Sequence, residues 1–192
     1  MIMFIAKIFC FLPCWLLYPT LFLGKRNIPK GAAIIVANHR SNTDPAILAI
    51  STARSSKVLG KKELFKNKFF GFVLKMIGVI PVDRSKTDIT AIKTSLKYLK
   101  RGKLLTIFPE GTRNKTEEDL SALKSGACML ALKAKCPIVP VWIQKKPRLF
   151  RLNRIRFGKA FTLEEFYDKK LDKETLDAAT EILGQKILEN KF

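Results

Sequence analysis

The sequence predicts an α/β fold: a single layered domain with a largely parallel central sheet flanked by helices, preceded by an apolar leader. Three observations predict it. Short, continuous apolar runs such as Ala32–Ala37 and Ile138–Ile143 have the pattern of strands buried on both faces. Amphipathic helical stretches alternate with them, which is how parallel strands are connected. The chain has 192 residues, 47% of them hydrophobic. That is enough for one substantial core, and it excludes a disordered basic tail.

Residues 1–24, MIMFIAKIFCFLPCWLLYPTLFLG, carry one charge, Lys7, and Lys25-Arg26 follow directly. Pro13 and Pro19 interrupt the run, and an interior proline costs a helix about 3 kcal/mol. A straight membrane span needs roughly 20 apolar residues, and a secretory signal needs a cationic start and a small-residue cleavage site. The leader therefore reads as a bent pair of short helices dipping into one leaflet, with Trp15 and Tyr18 near the headgroups. Lys25, Arg26 and Lys30 would lie on the lipid phosphates.

The main body is expected over residues 25–160, and residues 161–192 as a C-terminal helical appendage of the same domain. Ala32–Ala37 opens the body as a strand. A helix follows Asp44-Pro45, since proline suits a first helical turn. Lys57–Leu59 and Val79–Val82 are the next strands, separated by helical sequence from Glu63 to Ile77. Pro81 cannot donate to a ladder and argues for an edge or irregular position. Asp88 caps an amphipathic helix with Ile89, Ile92, Leu96 and Leu99 on one face, and Gly102 ends it. Leu104–Phe108 is a strand stopped by Pro109, and a helix from about Leu123 to Lys135 leads to the strand Ile138–Ile143. Arg154–Phe157 alternates as a half-exposed strand, and Thr162-x-x-Glu165 reads as a capping box before the last helix.

Charge narrows the clients. The formal net charge is +20; residues 1–160 carry +23 and residues 161–192 carry −3. Such a body attracts polyanions: anionic lipid, an acidic carrier protein, a phosphorylated substrate or nucleic acid. A nucleic-acid binder would interleave aromatics with its basic residues. Here most phenylalanines fall in the leader and in element interiors, so that class ranks last. Cys10, Cys14, Cys128 and Cys136 show no C-x-x-C or Cys/His metal spacing and read as buried free thiols of a reducing compartment.

Chemistry is expected in the loops after the strands, since ligands of such sheets gather at carboxyl ends. Asn38-His39-Arg40-Ser41-Asn42-Thr43-Asp44 holds the only histidine of the chain, with Asp44 five residues on. Histidine is the simplest general base near neutral pH, and a carboxylate partner fixes its tautomer. Gly78–Arg84 ends in an arginine whose planar fork suits a phosphate. Phe108-Pro109-Glu110-Gly111-Thr112-Arg113 packs more functional groups than a connector requires, and Ile138–Val141 is wholly apolar.

In this order, the four blocks resemble those of the glycerolipid acyltransferase family: N-H-x-x-x-x-D, G-x-x-x-x-D/R-R, F-P-E-G-T-R and an apolar V-P-V block. The likeness, to the bacterial lysophosphatidate acyltransferase branch, spans roughly residues 25–160. It implies the glycerol-3-phosphate acyltransferase-like fold and transfer of a fatty acyl group from a thioester of acyl carrier protein or coenzyme A. The acceptor would be the sn-2 hydroxyl of 1-acylglycerol 3-phosphate and the product phosphatidic acid. His39 would take the hydroxyl proton with Asp44 orienting the ring. Arg84, Glu110, Gly111, Thr112 and Arg113 would hold the acceptor phosphate, with Lys61 as a helper. The resemblance implies direct attack rather than an acyl-enzyme on Ser41, Cys128 or Cys136, and no metal or redox cofactor. It also implies work at the cytoplasmic face of the membrane. Another lysophospholipid or a lyso-aminolipid is the alternative acceptor, and a basic nucleic-acid-binding protein the remote one.

Overall fold

The computed structural model describes residues 16–52, 54–76, 78–83, 85, 87–114, 116 and 119–192. Seven strands form one sheet: β1 (Thr20–Leu23), β2 (Ala33–Ala37), β3 (Ser56–Lys61), β4 (Val79–Val82), β5 (Leu104–Ile107), β6 (Ile138–Ile143) and β7 (Asn153–Phe157). Their spatial order is β1-β7-β6-β2-β5-β3-β4. The five strands β2 to β6 run parallel; β7 is antiparallel to β6, and β1 is parallel to β7. Five helices accompany them: α1 (Asp44–Ile50), α2 (Lys68–Met76), α3 (Ile89–Leu99), α4 (Gly126–Ala134) and α5 (Lys173–Leu188).

The buried runs behave as their composition demands. Every residue of β2, β5 and β6 is buried. Alternate side chains feed two separate cores, because successive Cβ atoms point to opposite faces. Ile34, Val36, Leu105 and Ile138 pack beneath α3, α4 and α5, while Ala33, Ile35, Ala37 and Val139 pack against Ile47 and Leu48 of α1. Pro81 sits on β4 at the end of the sheet, where its missing N–H costs no ladder bond. The Asp88 carboxylate accepts the Ala91 amide and caps α3.

Four features differ from the sequence expectation. Thr20–Leu23 of the leader is not helical: it is strand β1, with Thr20 opposite Asn153, because β7 offers an otherwise unpaired edge. The rest of the proposed anchor, residues 1–15 with Cys10 and Cys14, lies outside the described residues. Among the described residues, no helix is long and apolar enough to cross a membrane. Second, the buried face of α3 is Ala91, Ser95 and Leu99, and Ile89 is 62% exposed at its first turn. Third, Thr162 and Glu165 form no capping box. Thr162 Oγ1 donates to Glu164 beside a short 3-10 turn, and α5 starts later, where Asp172 accepts the Thr175 amide. Finally, α5 is more than an appendage, since Ala179, Leu183 and Ile187 are completely buried in the larger core.

Candidate active site

The loop after β2 is built around one carboxylate oxygen. Asp44, the first residue of α1, is fully buried, and its Oδ2 accepts the backbone N–H groups of Arg40 and Ser41, both at 2.6 Å. The same oxygen lies 2.9 Å from His39 Nδ1. An oxygen already receiving two amides is an acceptor, so Nδ1 carries the proton and Nε2 presents its lone pair. The imidazole stacks on Phe108, with ring centroids 4.3 Å apart, and its side chain is 11% exposed. Two residues distant in sequence thus leave one nitrogen of a fixed tautomer available to a reactant.

The residues around the histidine hold its backbone. Asn38 is buried at the end of β2, and its amide exchanges two hydrogen bonds with the Ile143 backbone at 3.0 and 2.7 Å, tying β2 to the end of β6. His39 N–H donates to Glu110 Oε1 at 2.7 Å, and His39 C=O accepts the Asn114 amide at 2.8 Å. Glu110 is 4% exposed, and its other oxygen accepts the Ser121 amide. The Phe108–Arg113 loop is therefore fastened to the histidine loop. Glu110, expected at the acceptor phosphate, engages two backbone amides with its carboxylate and so braces the histidine loop.

The remaining expected residues separate clearly. Gly111 adopts φ 69°, a conformation that disfavours any side chain, and Lys124 packs where its Cβ would lie. Thr112 and Arg113 are exposed. Lys61 closes β3 at the same edge of the sheet, exposed and 3.5 Å from Glu63. Arg84 lies outside the described residues. Ser41 spends its hydroxyl on Thr43. Cys128 and Cys136 are free and buried, and burial pushes both thiols up to about 11. Neither is a thiolate near neutral pH, so neither is an activated nucleophile.

A cavity of about 510 Å³ opens beside this centre, between the carboxyl ends of β3, β4 and β5 and the helices α3 and α4. Leu59, Val82, Ile92, Ile107, Met129 and Leu130 give it apolar walls, and Phe108, Pro109 and Gly111 form its side toward the histidine. Phe108 therefore separates cavity from imidazole by one ring. Lys124 lines the cavity too. Sequence reasoning missed it, since a lone lysine before a helix carries no motif; only the fold brings it to Gly111.

Residues 21–144 match the sequence model of the Acyltransferase family. The chain is 37% identical over 178 residues to the 1-acyl-sn-glycerol-3-phosphate acyltransferase of Bacillus subtilis, covering 88% of this chain and 87% of that one. It is 37% identical over 110 residues to the enzyme of the same name from Streptococcus pneumoniae, covering 56% of this chain and 40% of that one. The crystal structure of the 1-acyl-sn-glycerophosphate acyltransferase of Thermotoga maritima shares the fold, with a TM-score of 0.68 at 21% identity, over 97% of this chain and 77% of that one. The family match spans more than half of the sequence and includes the His39–Asp44 pair, and the chain belongs to the acyltransferase family.

Proposed function

We propose that the protein is a 1-acylglycerol-3-phosphate O-acyltransferase, which esterifies the sn-2 hydroxyl of lysophosphatidate to give phosphatidic acid. The observation that carries this reading is the 2.9 Å contact between His39 Nδ1 and Asp44 Oδ2 in a buried, amide-braced loop. His39 Nε2 takes the acceptor hydroxyl proton as the oxygen attacks the thioester carbonyl. Asp44 balances the imidazolium that forms, and the proton leaves with the departing thiol. General-base assistance of this kind contributes about 10²- to 10⁴-fold, and positioning supplies much of the rest.

Arg113, Thr112 and Lys124 hold the acceptor phosphate, with Lys61 at the end of β3 as a helper; Arg84, outside the described residues, takes the same role by its place in the sequence motif. The 510 Å³ apolar cavity takes an acyl chain. The acyl donor is a thioester of carrier protein or coenzyme A, acting as co-substrate, and the mechanism draws on no metal. The leader attaches the protein to the cytoplasmic face of the membrane.

The test is acylation of lysophosphatidate in detergent by wild type and His39→Ala, with each donor in turn. The reading requires phosphatidic acid from the wild type with at least one donor. It also requires a rate about 10²-fold or more lower in the variant. Near-wild-type turnover by the variant would remove His39 from catalysis.

A further inference from the structure

Beyond the chemistry, two exposed apolar clusters stand at the edge of the sheet that carries His39. The first follows β3: Leu64 is 46% exposed, Phe69 78% and Phe72 62%. The second lies in the β6–β7 loop: Leu149 is 51% exposed, Phe150 74% and Leu152 63%. Strand direction fixes their common location. Lys61 ends β3 and Ile143 ends β6, both parallel to β2, whose end leads directly into His39. Three strand intervals separate β6 from β3, so the clusters are about 14 Å apart at their roots, with the His39 loop between them.

Scattered exposed leucines need no explanation, but this arrangement does. Phe69 and Phe150 are the most exposed of these six side chains. Phe150 holds φ 54°, unusual for a bulky residue, and its N–H is tied to Leu17 C=O at 2.8 Å. Charge completes the pattern. Residues 61–75 contain five lysines against one acid, and residues 144–154 five basic residues against none. Leu16, 60% exposed, lies beside the second cluster, since the carbonyl of its neighbour Leu17 accepts the Phe150 N–H.

We propose that these two clusters form a membrane-docking rim. The side chains of Leu64, Phe69 and Phe72 on one side and Leu149, Phe150 and Leu152 on the other enter an anionic lipid leaflet, and their basic neighbours sit on its phosphates. The rim turns the mouth of the site toward the bilayer, so that a lipid acceptor reaches His39 without crossing water. The inference rests on a lipid substrate being used at this site, but its test is independent of turnover.

The full chain carrying Phe72→Trp, Phe150→Trp or, as a control, Lys103→Trp is mixed with vesicles of phosphatidylcholine and phosphatidylglycerol bearing brominated acyl chains. Lys103 precedes β5 and lies at the opposite edge of the sheet. Emission is read against wild type, whose own tryptophans give the background. The proposal predicts blue-shifted, bromine-quenched emission at positions 72 and 150 and none at 103. It predicts much weaker quenching with phosphatidylcholine alone. Absence of quenching at both rim positions, or equal quenching at position 103, would overturn it. So would a response to an acidic carrier protein with none to vesicles. Turnover of a short-chain lysophosphatidate dissolved as monomers separates the two readings: its absence counts against the proposed reaction and leaves the quenching result standing.

Discussion

Glu110 and His39 are 71 residues apart in sequence, and the carboxylate Oε1 of one accepts the backbone N–H of the other at 2.7 Å. The acid thus acts on the catalytic loop from behind. Replacing it with alanine leaves the buried His39 amide without an acceptor, at a cost of about 1–3 kcal/mol, and frees the part-buried Ser121 amide as well. Glu110→Ala should lower the melting temperature and kcat together, with the lysophosphatidate KM within about twofold of wild type. A selective rise in KM at unchanged kcat would return Glu110 to the phosphate site.

Asp44→Asn tests the charge behind the imidazole. One oxygen accepts the Arg40 and Ser41 amides and faces His39 Nδ1, so an asparagine whose amide oxygen takes that place keeps the loop folded and the ring in the same tautomer. It removes the negative charge that balances the imidazolium formed as His39 takes the hydroxyl proton. Activity should fall by roughly 10²- to 10⁴-fold, on the precedent of the serine-protease triad, with a far smaller change in melting temperature. Steady-state kinetics and calorimetry on the same preparation check both halves.

Gly111→Ala places a methyl in a left-handed backbone conformation, at a cost of about 1–2 kcal/mol. The new Cβ also meets Lys124 side-chain carbons at 3.0 and 3.2 Å, and the flexible lysine must move aside. The expected result is a modest loss of stability and a raised lysophosphatidate KM, read by initial rates across acceptor concentrations. An unaltered KM would take Lys124 out of the acceptor site.

The two buried thiols predict an alkaline limit to stability. Burial raises the Cys128 and Cys136 thiols from 9.0 to about 11 in the folded protein. The folded chain then holds these protons more tightly than the unfolded one. Their contribution is intact below pH 9 and lost as pH climbs toward 11, to the extent of about 2 kcal/mol each. Melting temperatures taken between pH 8 and pH 11 should fall less steeply for Cys136→Ala than for wild type, and thiol alkylation of the folded protein at pH 8 should be slow.

Much of this was legible in the sequence because it depends on local pattern. The buried runs of β2 and β6, Pro81 on an edge, the Asp88 cap and the histidine–aspartate pair all follow from residue type and spacing. The parts that were not legible depend on neighbours supplied by the fold. Thr20–Leu23 looks like more leader until β7 offers it an edge. Glu110 looks like a ligand group until Ser121 and His39 close on it. Asn38 carries a place in a motif, but its reason is the Ile143 backbone 105 residues away.

His39 gives both of its own backbone groups to the segment from Glu110 to Asn114. The two loops are therefore one mechanical unit, assembled when the chain folds rather than when a reactant arrives. The conformational entropy of aligning the base is lost before turnover begins, so substrate binding need not supply it. Lengthening either loop by even one residue would loosen the histidine without touching it.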